Sequence, residues 1–188
     1  MNRWMAGVGA AAALSCGTGT TCVARGTLVT TPAGRRRVED LGVGDEVMAV
    51  DPKTGEAKAT LITEIRSSNR ECGTLSIGTS TLTATSDHPL FDPSDGAFQP
   101  AGDWMLGTRT QLWAFDGSQA QSTHVRSRET FVGVHEVFDL SVESEWHTFI
   151  AEGIVVHNKQ PAPCAIPDGG TTSLTISAGQ RPVCTCTD

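Results

Sequence analysis

The chain has 188 residues, with 14 Lys and Arg against 21 Asp and Glu, for a formal net charge of −7. That length holds one domain of ordinary size with flanking segments rather than two full domains. The acidic balance, with no basic cluster beyond Arg35-Arg36-Arg37, argues against nucleic acid as the main partner. With 20 Gly, no Tyr and 38% hydrophobic residues, the composition suits short strands and turns better than helices.

In chain order, residues 1–21 come first and read as a targeting flank. Arg3 precedes an apolar and glycine run from Trp4 to Leu14. That run has the length of a signal-peptide apolar region and falls short of the roughly 20 residues a spanning helix needs. It ends in Ala13-Leu14-Ser15-Cys16, which resembles a bacterial lipoprotein cleavage site with its Leu one place late. The expectation is export to the cell envelope or beyond, with Cys16 a candidate for lipidation and membrane anchoring. An ordinary short signal peptide, or a start without function, is the alternative.

Residues 22–158 read as the domain, a series of β-branched runs broken by turn residues. Thr27 to Thr31 runs into Pro32-Ala33-Gly34, and Glu46 to Val50 into Asp51-Pro52-Lys53-Thr54-Gly55. Ala59 to Ile65, Thr74 to Ile77, Gln111 to Ala114, Glu136 to Val142 and Thr148 to Ala151 follow the same pattern. No window sustains helical spacing, so the expected class is all-β. Gly34, Val38, Leu41 and Gly44 before one strand are echoed by Gly96, Trp104, Leu106 and Gly107 before another, a weak sign of two-fold repetition. Residues 159–188 change character, with four prolines, Cys164, Cys184 and Cys186, and one alternating stretch from Ser173 to Ser177. So short a segment buries little by itself and reads as a tail or a disulfide-stapled appendage.

Four features carry chemistry. Cys22 opens the strand pattern, and Thr85-Ser86-Asp87-His88 sets a hydroxyl three residues before an imidazole. Asp139 lies in an apolar strand, and His147 to His157-Asn158 closes the β pattern. Each alone has a plain structural explanation: a disulfide half for Cys22, surface polarity for the histidines and Asp139, and a turn role for Asn158. Their joint order resembles the Hint family, the hedgehog/intein autoprocessing domains, and most closely the bacterial intein-like ones. The matching blocks are Cys22, Gly26, Thr27 and Val29; Thr85 to His88; Phe138-Asp139-Leu140; and His147 to His157-Asn158.

The resemblance implies a β horseshoe of two pseudo-symmetric halves in which both ends of the domain meet at one site. It implies that the Cys22 sulfur attacks the Thr21 carbonyl to form a thioester, with Asp139 tuning the thiol. His88, with Thr85, would polarise the scissile amide and protonate its nitrogen, as an imidazole titrating near pH ~6.5 can. Asn158 would cyclise and cut before Lys159, assisted by His157 and His147. No metal or organic cofactor is implied. The substrate is the protein's own flanking segments, with an external thiol, amine or water as acyl acceptor. Splicing inteins carry Cys, Ser or Thr after the terminal Asn, whereas Lys159 stands here. Its ammonium, titrating near pH ~10.4, is a poor nucleophile. Cleavage without ligation is therefore expected, and the tail holds no apolar region suited to a sterol acceptor. The alternative is a catalytically degenerate Hint fold serving as an envelope scaffold or interaction module. A partner-binding lipoprotein is a third, weaker reading.

Other chemistries lack their signatures: there is no Gly-x-Ser-x-Gly elbow, no phosphate-binding loop and no zinc-ligand spacing. His124 and His135 match no family position and read as surface residues, and Trp104, Trp113 and Trp146 as core or half-buried packing. In an oxidising compartment Cys22 would be able to pair with Cys16 or Cys72, which would gate the N-terminal step.

Overall fold

β-branched runs separated by Gly, Pro and Asp turns fold as antiparallel hairpins, and the computed structural model, which describes residues 21–158, consists almost entirely of them. The order is β1 (Val23–Ala24), β2 (Leu28–Thr31), β3 (Gly34–Arg37), β4 (Glu46–Val50), β5 (Ala57–Ile77), β6 (Ser80–Ala84), β7 (Pro89–Asp92), β8 (Ala97–Pro100), α1 (Ala101–Met105), β9 (Gln111–Phe115), β10 (Ala120–His124), β11 (Ser127–Val142), β12 (Thr148–Ala151) and β13 (Ile154–His157). One sheet has the order β11-β1-β6-β5-β4, with β11 also pairing β5. The other runs β10-β9-β13-β12-β2-β3, with β7 on β13 and β8 on β7. Among the described residues, no helix is long and apolar enough to cross a membrane.

The repetition glimpsed around Gly34 and Gly96 is structural. The hairpin β2–β3, a single 3-10 turn at Val38–Asp40 and strand β4 are matched in order by the hairpin β7–β8, helix α1 and strand β9. Gly34 and Gly96 hold the corresponding hairpin turns at φ of 122° and 67°, backbone that a side chain disfavours. The two halves of a β horseshoe are thus in place.

Two elements were not legible in advance. Helix α1 has five residues, too few to show periodicity, yet it buries Ala101, Trp104 and Met105 on one side. Strand β5 is a single 21-residue strand, where the apolar pattern marks only its two ends. Its polar middle, Arg66 to Glu71, extends because it pairs with Val134 to Asp139 of β11, and pairing satisfies the backbone without needing apolar side chains.

One hydrophobic cluster joins the two halves around Trp104 and Phe149, which are 0% and 1% exposed. Trp104 Nε1 donates to the Gln111 carbonyl, so the ring is buried without an orphaned donor. Trp113 and Trp146 are half-buried. The centre of the second sheet is the hairpin β12–β13, apolar on both faces and buried except at His157. Its Glu152-Gly153 turn has positive φ at both residues, 52° and 78°, the type I′ geometry that suits a two-residue hairpin. Glu152 accepts the Leu28 N–H at 2.7 Å and pairs with Arg35 at 2.7 Å, tying the hairpin tip to β2 and β3. Arg36, the next residue of the basic run, pairs with Asp45 at 3.2 Å. The anchored hairpin fixes where its far end, Asn158, lies.

Candidate functional site

Strand β1 is only two residues long, and its position is set by its neighbours. Val23 pairs with Phe138 of β11 on one side and Ala84 of β6 on the other. Continuing these registers by one residue places Cys22 opposite Asp139 and opposite Thr85. The second pairing is made by hydrogen bonds: the Cys22 N–H donates to Thr85 Oγ1 at 3.2 Å, and the Thr85 N–H to the Cys22 carbonyl at 3.1 Å. The Thr21–Cys22 peptide, whose residues are 5% and 1% exposed, is thus buried with its N–H held by the Thr85 hydroxyl.

The segment Thr85-Ser86-Asp87-His88 is a tight turn closed by the His88 N–H on the Thr85 carbonyl at 3.1 Å. Helix α1 clamps it from outside. The Ala101 N–H donates to the His88 carbonyl and the Gly102 N–H to the Ser86 carbonyl, both at 2.8 Å. A Cβ at Gly102 would stand 3.2 Å from that Ser86 oxygen, so glycine permits the close approach. The turn directs His88 into the core, where it is fully buried against Phe149 with ring centroids 6.2 Å apart.

Burial sets the charge of this ring. Loss of solvent lowers the His88 pKa to about 4, against the opposing pull of the Asp87 carboxylate and the Thr21 backbone. An imidazole near its usual value was expected from sequence, which does not reveal complete enclosure. At neutral pH His88 is therefore neutral, with one ring nitrogen a donor and the other an acceptor. The Thr21 backbone approaches the ring, yet neither ring nitrogen reaches hydrogen-bonding geometry with a protein partner.

The C-terminal junction meets the same turn from the other side. Val156 of β13 pairs with Leu90 of β7, and extending that register sets Asn158 opposite His88. Asn158 is 3% exposed, and its backbone N–H donates to the His147 carbonyl at 2.7 Å. Oriented so that donors meet acceptors, its side-chain Nδ2 also donates to that carbonyl at 2.5 Å, and its Oδ1 accepts the Val142 N–H at 3.2 Å. His147 adopts φ of 50°, a left-handed conformation that turns its carbonyl toward Asn158. The His147 and His157 rings lie 6.0 Å apart, and His157 packs on Phe98 at 4.5 Å. Burial, reinforced by the neighbouring His147, lowers the His157 pKa to about 4 against the pull of the Asn158 backbone. A cleft of about 550 Å³ lined by Lys53, Phe98, Glu145, Trp146 and His157 opens beside this junction.

Cys22, Thr85, His88, Asp139, His147, His157 and Asn158 are therefore drawn together from four separate parts of the chain. Cys22 and Cys72 are both present as thiols and share a small buried cluster with Ala24 and Val137. Burial raises the Cys72 pKa to about 11, with Arg70 pulling weakly the other way. Cys16, the tail cysteines and the strand expected at Ser173 to Ser177 lie outside the described residues. One neighbour of the site escaped the sequence reading, Asp87. Asp87 is inside a motif already singled out, and only the direction of its side chain distinguishes it from a turn residue. Among the described residues no group of three or more His, Cys, Asp or Glu is disposed to hold a metal ion.

The sequence profile of the Hint domain matches residues 21–82. The chain is similar in structure to a bacterial intein-like domain from Clostridium thermocellum, at 25% identity and a TM-score of 0.62, covering 73% of this chain and 98% of that one. Residues 21–82 thus match the Hint family, and the fold of the described residues is intein-like. The fold is also that of the DnaB intein of Synechocystis sp. PCC 6803, at 20% identity and a TM-score of 0.66, over 75% of this chain and all of that one. The TvoVMA intein is similar at 21% identity and a TM-score of 0.63, over 76% of this chain and 100% of that one. No curated protein matches the chain. In this intein-like fold the Thr21–Cys22 peptide and Asn158 flank the buried His88.

Proposed function

We propose that this Hint domain cleaves its own backbone, by a thioester at Cys22 and by cyclisation of Asn158. The carrying observation is the Thr21–Cys22 peptide, buried with its N–H on Thr85 Oγ1 and its backbone beside the His88 ring. The Cys22 sulfur attacks the Thr21 carbonyl carbon, the C–N bond breaks, and the nitrogen takes a proton to leave as the Cys22 amine. Asp139, opposite Cys22, takes up the thiol proton and returns it through His88, whose acceptor nitrogen gains a proton as its donor nitrogen gives one to the leaving amine.

At the other end, Asn158 Nδ2 attacks the Asn158 carbonyl carbon, closes a succinimide and expels the amine of Lys159. His157 takes up the proton that Nδ2 loses and gives one to the leaving Lys159 nitrogen, and the His147 carbonyl holds Nδ2 in place. Burial of Asn158, 3% exposed, favours reaction because it fixes the attacking amide near its target. With Lys159 in the place of a hydroxyl or thiol nucleophile, the flanks part without being joined. Export of the chain, with lipid on Cys16, belongs to the same proposal and is tested by incorporation of a fatty-acid analogue that Cys16→Ser abolishes.

The test is intact mass of purified protein with and without dithiothreitol, beside Cys22→Ala and Asn158→Ala. Thiol-dependent release of the N-terminal segment should vanish in Cys22→Ala, and release of the tail should vanish in Asn158→Ala. A wild-type protein that stays whole in every condition leaves the scaffold reading, which Lys159 favours.

A further inference from the structure

The last described residue, Asn158, is held by an antiparallel pairing that points along one loop. Thr148 pairs with His157, and the pairing holds for one residue more, since the Asn158 N–H donates to the His147 carbonyl at 2.7 Å. Continuing that register sets Lys159 opposite Trp146 and Gln160 opposite Glu145. The loop itself is anchored. The Glu143 N–H donates to the Leu61 carbonyl at 2.9 Å, the Ser144 N–H to Thr60 Oγ1 at 2.8 Å, and the His147 N–H to the Ser144 carbonyl at 3.0 Å. Beside it lies the cleft of about 550 Å³, of a size that takes a ligand, whose wall includes His157, the residue before Asn158. Glu145 and Trp146 also line a second cleft, of about 420 Å³.

Across the two clefts four carboxylates, of Glu46, Asp51, Glu143 and Glu145, face two ammonium groups, of Lys53 and Lys58. Asp51 already accepts the Lys53 N–H at 2.8 Å. Glu145 is exposed, and its carboxylate has neither a hydrogen bond nor an ion pair among the described residues. Trp146 and Phe98 are half-buried, and Phe98 packs on the His157 ring at 4.5 Å. The segment bonded to Asn158 reads Lys159-Gln160-Pro161-Ala162-Pro163, a cation followed by two prolines two places apart. A cation complements an acidic rim, and proline rings pack on aromatic walls.

We propose that the cleft beside His157 docks residues 159–163 of this same chain, with the Glu145 carboxylate pairing with the Lys159 ammonium and the Trp146 and Phe98 rings taking Pro161 and Pro163. This rests on the Asn158 cyclisation proposed above and adds what the leaving side of the scissile peptide must carry. Lys159, unsuited to splicing chemistry, is then a recognition residue. Docking holds the Asn158–Lys159 peptide still while Asn158 Nδ2 attacks, so a tail that fits is released faster than one that does not. Glu145 is a positioning residue: it touches the leaving segment and none of the reacting atoms. A solvent-screened pair at a cleft rim contributes modestly, so the site selects among tails and leaves the bond-breaking to the buried groups.

The experiment follows tail release from full-length protein by intact mass, in wild type, Glu145→Lys, Lys159→Glu and the double variant. Each single reversal should slow release about 3- to 10-fold, and the double variant, with the pair restored in the opposite sense, should return to within about 2-fold of wild type. A second readout needs no cleavage. In full-length Asn158→Ala protein a carbodiimide, which joins a carboxylate to an amine in contact with it, should link Glu145 to Lys159 within one chain. Unchanged rates in both single variants overturn the docking and leave cyclisation standing. A double variant slower than either single also overturns it, because Glu145 would then act on His157 and not on the tail. So does a peptide map in which Lys159 joins only other carboxylates, or Glu145 of a second copy. A wild-type protein that never releases its tail rejects Asn158 cyclisation, while the cross-link still decides whether the segment docks.

Discussion

Enclosing a histidine completely makes a quantitative demand on stability. The His88 pKa lies near 4 in the folded protein and near 6.5 in an unfolded chain. Because the folded value is depressed, the unfolded state binds the extra proton first as pH falls, so stability is full above pH ~6.5 and drops until about pH 4. At about 1.4 kcal/mol per pH unit, moving from pH 7 to pH 5 removes about 2 kcal/mol through His88 alone. His157 contributes in the same direction but less, since it is only partly buried and solvent screens it. The carboxylates of Glu39, Asp45, Asp92 and Asp116 are held below their usual values, so their losses begin lower, below about pH 4.5. The window from pH 7 to pH 5 therefore isolates the histidines. Urea unfolding of a Cys22→Ala, Asn158→Ala protein, which cannot cleave itself, should show its midpoint falling by about 1 M across that window. Adding His88→Gln should remove most of the fall. A slope that survives His88→Gln intact would refute the claim that burial holds this ring neutral.

Three further outcomes follow from the packing. Gly73→Ala should destabilise by about 1–3 kcal/mol or more in the same urea assay, because the new methyl would lie 2.6 Å from the Glu129 carbonyl oxygen and 2.5 Å from Met105 Sδ; an unchanged midpoint would show that β5 and β11 yield there. Thr148→Val should cost about 2–4 kcal/mol, since the Thr148 hydroxyl both accepts the Val50 N–H at 2.8 Å and donates to the Val50 carbonyl at 2.7 Å. A cost below about 0.5 kcal/mol would mean that water replaces both bonds. Treatment with a small-molecule disulfide should join Cys22 to Cys72 through their shared cluster and stop thiol-dependent N-terminal release while tail release continues. Non-reducing peptide maps should show the pair, and Cys72→Ala should abolish the block; maps free of any Cys22–Cys72 peptide would end the idea.

What the linear pattern carried by itself was the all-β class, the turns and the order of reactive residues. Hairpin β12–β13 shows why: an unbroken apolar run with Glu152-Gly153 at its centre has one favourable local fold, and local terms decide it. The echo between Gly34 and Gly96 was visible for the same reason, because positive-φ turns mark themselves in the residues they use. Tertiary structure alone decided what those residues can do. Strand β5 runs unbroken through Arg66 to Glu71 only because β11 lies alongside, a pairing across some 70 residues of chain that no local pattern encodes. The same long-range registers bring Cys22, His88 and Asn158 to one place. Burial is a property of everything packed around a group, and it moved His88 from an imidazole near pH ~6.5 to one near 4. It also left Thr21 Oγ1 and Asp87 Oδ1 without a hydrogen-bond partner among the described residues, which no local pattern announces.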